Sequence, residues 1–207
     1  MKKSRKKLQF EKNEKLNYRE NTKNRSDTAV ELTKTALFTA IFCVLSPHTL
    51  YVFLPFSPIG ITFGSFLVYM AGLLLGLRSG CISVLLYLGL GFLGLPVFAG
   101  YQAGAGILFG PTGGFLLGYL PCVLVIGILM QRVEKIKRGE LRFLIGMMLG
   151  TLLLYLCGVI WFCLVYTKDV TLKSAVMACV LPFLPFDGIK IAVAMILYKP
   201  LQRLRQS

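Results

Sequence analysis

Residues 170–198 read VTLKSAVMACVLPFLPFDGIKIAVAMILY, an apolar run interrupted by three charges, Lys173, Asp187 and Lys190. Asp187 and Lys190 are three residues apart, so on a helix they share a face. A charge at the centre of a bilayer costs about 2.5–3.5 kcal/mol on insertion scales, and an embedded Asp–Lys pair therefore normally serves a site. The plainer alternative is a self-satisfied ion pair that only locks two helices together. Pro182-Phe183-Leu184-Pro185 precedes the pair. Two prolines inside one helix would each remove a backbone hydrogen bond. The run is therefore expected to form a short helix over 171–181, a break, and a helix from Pro185 to Pro200. Asp187 then falls in a first helical turn, near the outer face, where the positive end of the helix dipole supports a carboxylate. Irregular backbone at membrane depth is tolerated only where protein covers it or where it lines a cavity.

Five more apolar stretches precede this one, at 32–47, 61–77, 81–99, 112–131 and 143–166. Each is long enough, or nearly so, to cross about 30 Å of hydrocarbon. The chain has 207 residues, 56% of them hydrophobic and only 15% charged, a composition that excludes a soluble domain built around a buried core. The fold class expected is an all-α integral membrane protein of six transmembrane helices, the last preceded by a proline-broken short helix. No cleavable signal peptide is expected, because the N-terminus is hydrophilic and lacks an apolar core.

The net charge of +14 is unevenly spread, with ten of the Lys and Arg residues in positions 1–25. Residues 1–28 are expected to be a disordered basic tail that touches anionic lipid, and residues 29–207 the membrane domain. Nucleic-acid binding is the weaker reading, since no folded basic domain follows. With the tail inside, Arg78, then Arg132, Lys135, Lys137, Arg138 and Arg142, then Lys199, Arg203 and Arg205 all fall on the tail's side. The opposite side carries Lys168 and Lys173. This asymmetry predicts that both termini are cytoplasmic, in a multi-pass protein of the cell membrane.

The six cysteines (Cys43, Cys81, Cys122, Cys157, Cys163 and Cys179) lie in apolar segments without C-x-x-C spacing and read as small buried hydrophobes. The single histidine, His48, has no companions for a metal site. Between the third and fourth spans runs Gly94-Leu95-Pro96-Val97-Phe98-Ala99-Gly100-Tyr101-Gln102-Ala103-Gly104-Ala105-Gly106, then Gly110-Pro111-Thr112-Gly113-Gly114. Glycine permits left-handed backbone and close approach of main-chain N–H groups to a ligand. Gln102 adds a side-chain donor and acceptor, and Tyr101 an aromatic wall. The alternative is that these glycines only pack helices or form a floppy loop. The Lys-Ser/Thr ending of a P-loop is absent. Small residues also recur at four-residue spacing, as Ala36 and Ala40, Gly72 and Gly76, Gly114 and Gly118, and Gly146 and Gly150. Such pairs let helix backbones approach closely, and one on an outward face would dock a membrane partner.

Taken in order, Ala71-Gly72-Leu73-Leu74-Leu75-Gly76, Gly94-Leu95-Pro96-Val97-Phe98-Ala99-Gly100, Gly110-Pro111-Thr112-Gly113-Gly114, and Pro182-Phe183-Leu184-Pro185 with Asp187 and Lys190 resemble the BioY family over roughly residues 30–200. These proteins are biotin-binding S components of energy-coupling factor (ECF) transporters. The resemblance implies a six-helix protein that captures biotin from outside. It also implies a partner module of one transmembrane T subunit and two cytosolic ATPases. The family's biotin contacts correspond to Asp187 and Lys190, and the polar residue of the glycine-rich loop, often Asn, to Gln102. Ala36 and Ala40 resemble the motif that docks the T subunit. Two positions depart from the family. Ile61-Thr62-Phe63-Gly64-Ser65 lacks a frequent Gln, and Leu116 stands where some members have Arg.

Biotin carries a ureido ring with two N–H donors and a strong carbonyl acceptor. A carboxylate suits the donors, and an ammonium suits the carbonyl or the ionised tail. Tyr69, Phe98 and Tyr101 are candidate apolar walls. The chain is not expected to be an enzyme, to bind nucleic acid, or to hold a metal or cofactor. An intramembrane enzyme needs several acids, a His–acid set or an activated nucleophile, and this chain embeds one acid far from its one histidine. Another small-solute transporter remains the competing class. Nothing suggests an ATP site, so ATP-driven uptake would have to borrow one.

Overall fold

The computed structural model describes residues 2–50, 61–132, 138–165, 176–177 and 180–206. Seven helices occur among them: α1 (Lys2–Leu45), α2 (Gly64–Leu74), α3 (Gly76–Phe92), the short α4 (Ala105–Leu108), α5 (Gly113–Arg132), α6 (Gly139–Val165) and α7 (Leu184–Gln206). A 3-10 turn covers Ala99–Tyr101, and two-residue strands β1 (Thr49–Leu50) and β2 (Ile61–Thr62) pair antiparallel, Thr49 opposite Thr62. This small clip brings the end of α1 to the start of α2 and was not expected from the sequence.

Three helical segments among the described residues are long and apolar enough to cross a membrane, Arg25–Leu45, Gly113–Gln131 and Gly139–Val165. The second and third expected spans are shorter than 61–77 and 81–99, at 11 and 17 residues. At 1.5 Å rise per residue they extend about 16 and 25 Å. Gly76 separates them with a φ of 75°, a left-handed conformation that glycine adopts without cost and that turns α3 back along α2. Gly80 then lies against the Ala71 carbonyl, 3.1 Å from the point where a Cβ would sit.

The basic segment, for which disorder was expected, is helical from Lys2 and continuous with the first span. It has no Gly or Pro and is rich in Lys, Glu and Arg, all good helix formers. The break at Pro182–Pro185 is present: residues 180–183 form turns and α7 begins at Leu184. Pro185 therefore sits in the first turn, where no N–H partner is required. The short helix expected over 171–181 lies largely outside the described residues. α7 does not stop at Pro200 but runs to Gln206.

The neighbours form a ring in which α1 meets α3, α3 meets α5, α5 meets α6, α6 meets α7, α7 meets α2, and α2 returns to α1. Small residues make the central contacts. A Cβ on Gly118 of α5 would press on Leu154 and Cys157 of α6 at 3.2–3.3 Å. One on Gly150 of α6 would meet Cys122 of α5, and one on Gly72 of α2 would meet Ile126 of α5. The recurrent glycine pairs thus serve packing within the chain. Phe42 of α1 stacks on Tyr87 of α3 at 4.1 Å, and buried hydroxyls find partners across helices, Thr39 with Ser83 at 2.9 Å and Ser46 with Tyr87 at 2.7 Å. Such pairing removes the penalty of an unsatisfied buried polar group. Cys122 is buried and the four other described cysteines are half-buried, all as free thiols. Cys179 lies outside the described residues.

The helices alternate in direction. α1, α3 and α6 end where α2, α5 and α7 begin, and this shared end carries the cavity described next. Arg78, Arg138, Arg142 and Lys199 lie toward the opposite end, where Lys199 pairs with Glu140 at 3.4 Å.

Candidate functional site

Asp187 and Lys190 occupy the first two turns of α7, one helical step apart, and pair at 2.8 Å. Asp187 is buried, only 5% exposed, and Lys190 is nearly so. Two other helices complete the group. Ser65, at the start of α2, donates to Asp187 Oδ1 at 3.2 Å and accepts from Lys190 Nζ at 2.9 Å. Tyr155 of α6 donates to Asp187 Oδ2 at 2.5 Å. A carboxylate offers about four acceptor positions, and three are filled here. An ammonium has three N–H donors, and two are engaged. Among the described residues this leaves one acceptor position of Asp187 and one N–H of Lys190 without a protein partner.

Asp187 and Lys190 line a cavity of about 260 Å³, just below the roughly 300–1,000 Å³ usual for small-molecule sites. Phe98, Phe115, Leu116, Leu154 and Phe183 provide apolar and aromatic wall; Ser46, Thr62, Gln102, Thr112 and Tyr119 provide polar groups. Among the described helices, α2, α3, α4, α5, α6 and α7 all contribute to the lining, and α1 ends at Leu45, next to the lining residue Ser46. The cavity wall is mainly apolar, with polar side chains set among the apolar ones, which suits a compact heterocycle that can also form hydrogen bonds.

Of the residues singled out by sequence, Gln102, Asp187, Lys190 and Phe98 line this cavity. Tyr69 does not. It is completely buried below the site, its hydroxyl 2.5 Å from Thr151 Oγ1, and serves the α2–α6 contact. Tyr101 does not either. It stands on the rim, 60% exposed, with its hydroxyl 3.2 Å from His48 Nε2. Ala36 and Ala40 are exposed on α1, whose opposite face buries Thr35, Phe38, Thr39 and Phe42. Sequence reasoning missed Ser65 and Tyr155 as partners of Asp187. One hint was available for Ser65, which ends the stretch Ile61–Ser65 that departs from the family pattern; a lone tyrosine in an apolar span gives none.

The family model of the BioY family matches residues 15–207. "Biotin transporter BioY" of Thermotoga maritima is 34% identical over 175 residues, covering 84% of this chain and 96% of its own length. "Biotin transporter BioY" of Rhodobacter capsulatus is 33% identical over 188 residues, covering 85% and 95%. Among solved structures, the S-component for biotin from an ECF-type ABC transporter superposes with a TM-score of 0.76 at 28% identity, over 88% of this chain and 94% of that one. A family match over nearly the whole chain, with relatives above 30% identity along nearly their full length, leaves one assignment: this chain belongs to the BioY family.

Proposed function

We propose that the chain is the biotin-binding S component of an ECF-type transporter and that the cavity holds biotin with its ureido ring against Asp187 and Lys190. The observation that carries this reading is the buried Asp187–Lys190 pair in the cavity lining, which among the described residues has one acceptor position and one N–H still unfilled. The edge of a urea presents an N–H beside a C=O, so it answers both at once. In this reading Gln102 takes the second ureido edge and Phe98, Phe115 and Phe183 pack on the fused rings; that all four line the cavity supports it. Relatives of this chain are named biotin transporters, which supports the same ligand.

The chain is a substrate-binding subunit and not an enzyme. In this reading six helices cross the membrane, with α2 and α3 as the short passes, and both termini are cytoplasmic. The clustering of Arg78, Arg138, Arg142 and Lys199 away from the cavity supports that orientation through the positive-inside rule. The cavity then faces outward in the plasma membrane of a bacterium and captures biotin there. Energy comes from a T subunit and two cytosolic ATPases, docked through the outward Ala36 and Ala40 face of α1. Exposure of both alanines on the side of α1 turned away from the core supports this surface.

A thermal-shift screen tests the ligand. A ligand that binds only the folded state stabilises it by mass action. Biotin is expected to raise the melting midpoint of the detergent-solubilised protein, while riboflavin and thiamine leave it in place. A shift with another vitamin and none with saturating biotin would remove the biotin assignment.

A further inference from the structure

Tyr101 is the one non-glycine residue with a positive φ among the described residues, at 60°. L-residues avoid that conformation unless their surroundings impose it, and such outliers cluster where a site must be held in shape. The surroundings here are specific. The Tyr101 hydroxyl meets His48 Nε2 at 3.2 Å, and the two rings lie edge to face with centroids 5.7 Å apart. His48 Nδ1 stands 3.0 Å from the Val44 carbonyl, which can only accept, so Nδ1 bears the proton. In that tautomer Nε2 is the acceptor and Tyr101 the donor.

Backbone bonds reinforce the attachment. The Gly100 N–H donates to the Pro47 carbonyl at 3.0 Å, and the Phe98 N–H donates to the Gln102 carbonyl at 3.0 Å. The loop is thereby folded on itself and fastened to the C-terminal end of α1. Phe98, Ala99 and Gln102, the residues around this turn, all line the cavity, whereas Tyr101 and His48 sit outside it. The loop is flanked by Gly94 at φ 103° and Gly104 at φ 92°.

We infer that Tyr101 and His48 are positioning residues, an exposed clasp that fastens the glycine-rich loop to α1, sets Phe98 and Gln102 in the cavity wall, and limits how fast the bound ligand leaves. Neither touches the ligand. A single exposed hydrogen bond is weak enough to open, so the clasp sets a rate rather than sealing the site. The ligand arm of this inference rests on the biotin reading; the loop arm does not.

The test uses Tyr101→Phe, His48→Ala and the double variant in the full chain. Hydrogen–deuterium exchange of the ligand-free protein is expected to quicken about 2- to 10-fold at the Phe98 and Gly100 amides, the value of one neutral hydrogen bond, with α5 unchanged. Biotin dissociation is expected to quicken by a similar factor, and the double variant to be no faster than the faster single one. Unchanged loop exchange, or equal acceleration in α5, overturns the clasp without reference to any ligand. Faster loop exchange with an unchanged dissociation rate overturns its control of release. Failure of the wild-type chain to bind biotin refutes the proposed ligand instead, and the exchange arm still decides the clasp.

Discussion

Asp187→Asn separates a ligand site from a structural ion pair. The substitution keeps the shape but puts an amide where a carboxylate accepts from Ser65, Lys190 and Tyr155. Whichever way the amide turns, one of its ends presents N–H groups, so the side chain loses acceptor positions and Lys190 loses its counter-charge. A hydrogen bond to a charged group is worth about 1.5–3 kcal/mol. At about 1.4 kcal/mol per decade, biotin affinity should fall roughly 10- to 150-fold, with the ureido N–H as the lost partner. Lys190→Met should weaken binding as well, by removing the ammonium from the cavity lining. Isothermal titration of both variants with biotin, beside melting curves of the ligand-free proteins, gives the answer. If affinity stays within twofold of wild type while ligand-free stability drops, the pair only fastens α7 to α2 and α6, and the reasoning fails.

Three other outcomes are expected. Tyr155→Phe keeps the ring and deletes the donor to Asp187 Oδ2, so the ligand-free melting point should fall, while biotin affinity drops less than about tenfold because Ser65 and Lys190 still hold Oδ1; an unchanged melting point contradicts that division. Gly114→Ala should destabilise by about 1–3 kcal/mol, since its Cβ would press on Trp161 and on the Cys157 carbonyl, whereas Gly89→Ala, with open space around it, should be neutral or stabilising in thermal melts. Ala36→Trp should leave biotin titration unchanged but weaken co-purification with a T subunit and its ATPases, because bulk on that face separates helices; intact co-purification moves the docking surface elsewhere.

The embedded Asp187 and Lys190 were legible in the sequence because opposite charges in an apolar run are costly and their spacing fixes a common helical face. The break at Pro182–Pro185 was legible because proline lacks an N–H. Ser65 and Tyr155 were not. Each reaches Asp187 from a different helix, and which face of α2 or α6 turns toward α7 depends on glycine contacts such as Gly118 on Leu154. Tyr69 and Tyr101 show the same gap in reverse. An aromatic residue near a site in sequence can serve as wall, buried strut or rim, and only the rotation of its helix or turn decides which. The basic segment was read from its charge, yet its residues are also helix formers, and continuity with the first span carries the helix through it.

The central claim is that the cavity recognises a ureido ring through Asp187 and Lys190. Its most direct test is saturation binding of labelled biotin to the purified chain, with two competitors. Dethiobiotin keeps the ureido group and loses the thioether ring; lipoic acid keeps a sulfur ring and the same acid tail without the ureido group. One biotin per chain, displaced by dethiobiotin and not by lipoic acid, is the expected result. Absence of saturable binding, or equal displacement by lipoic acid, would contradict it.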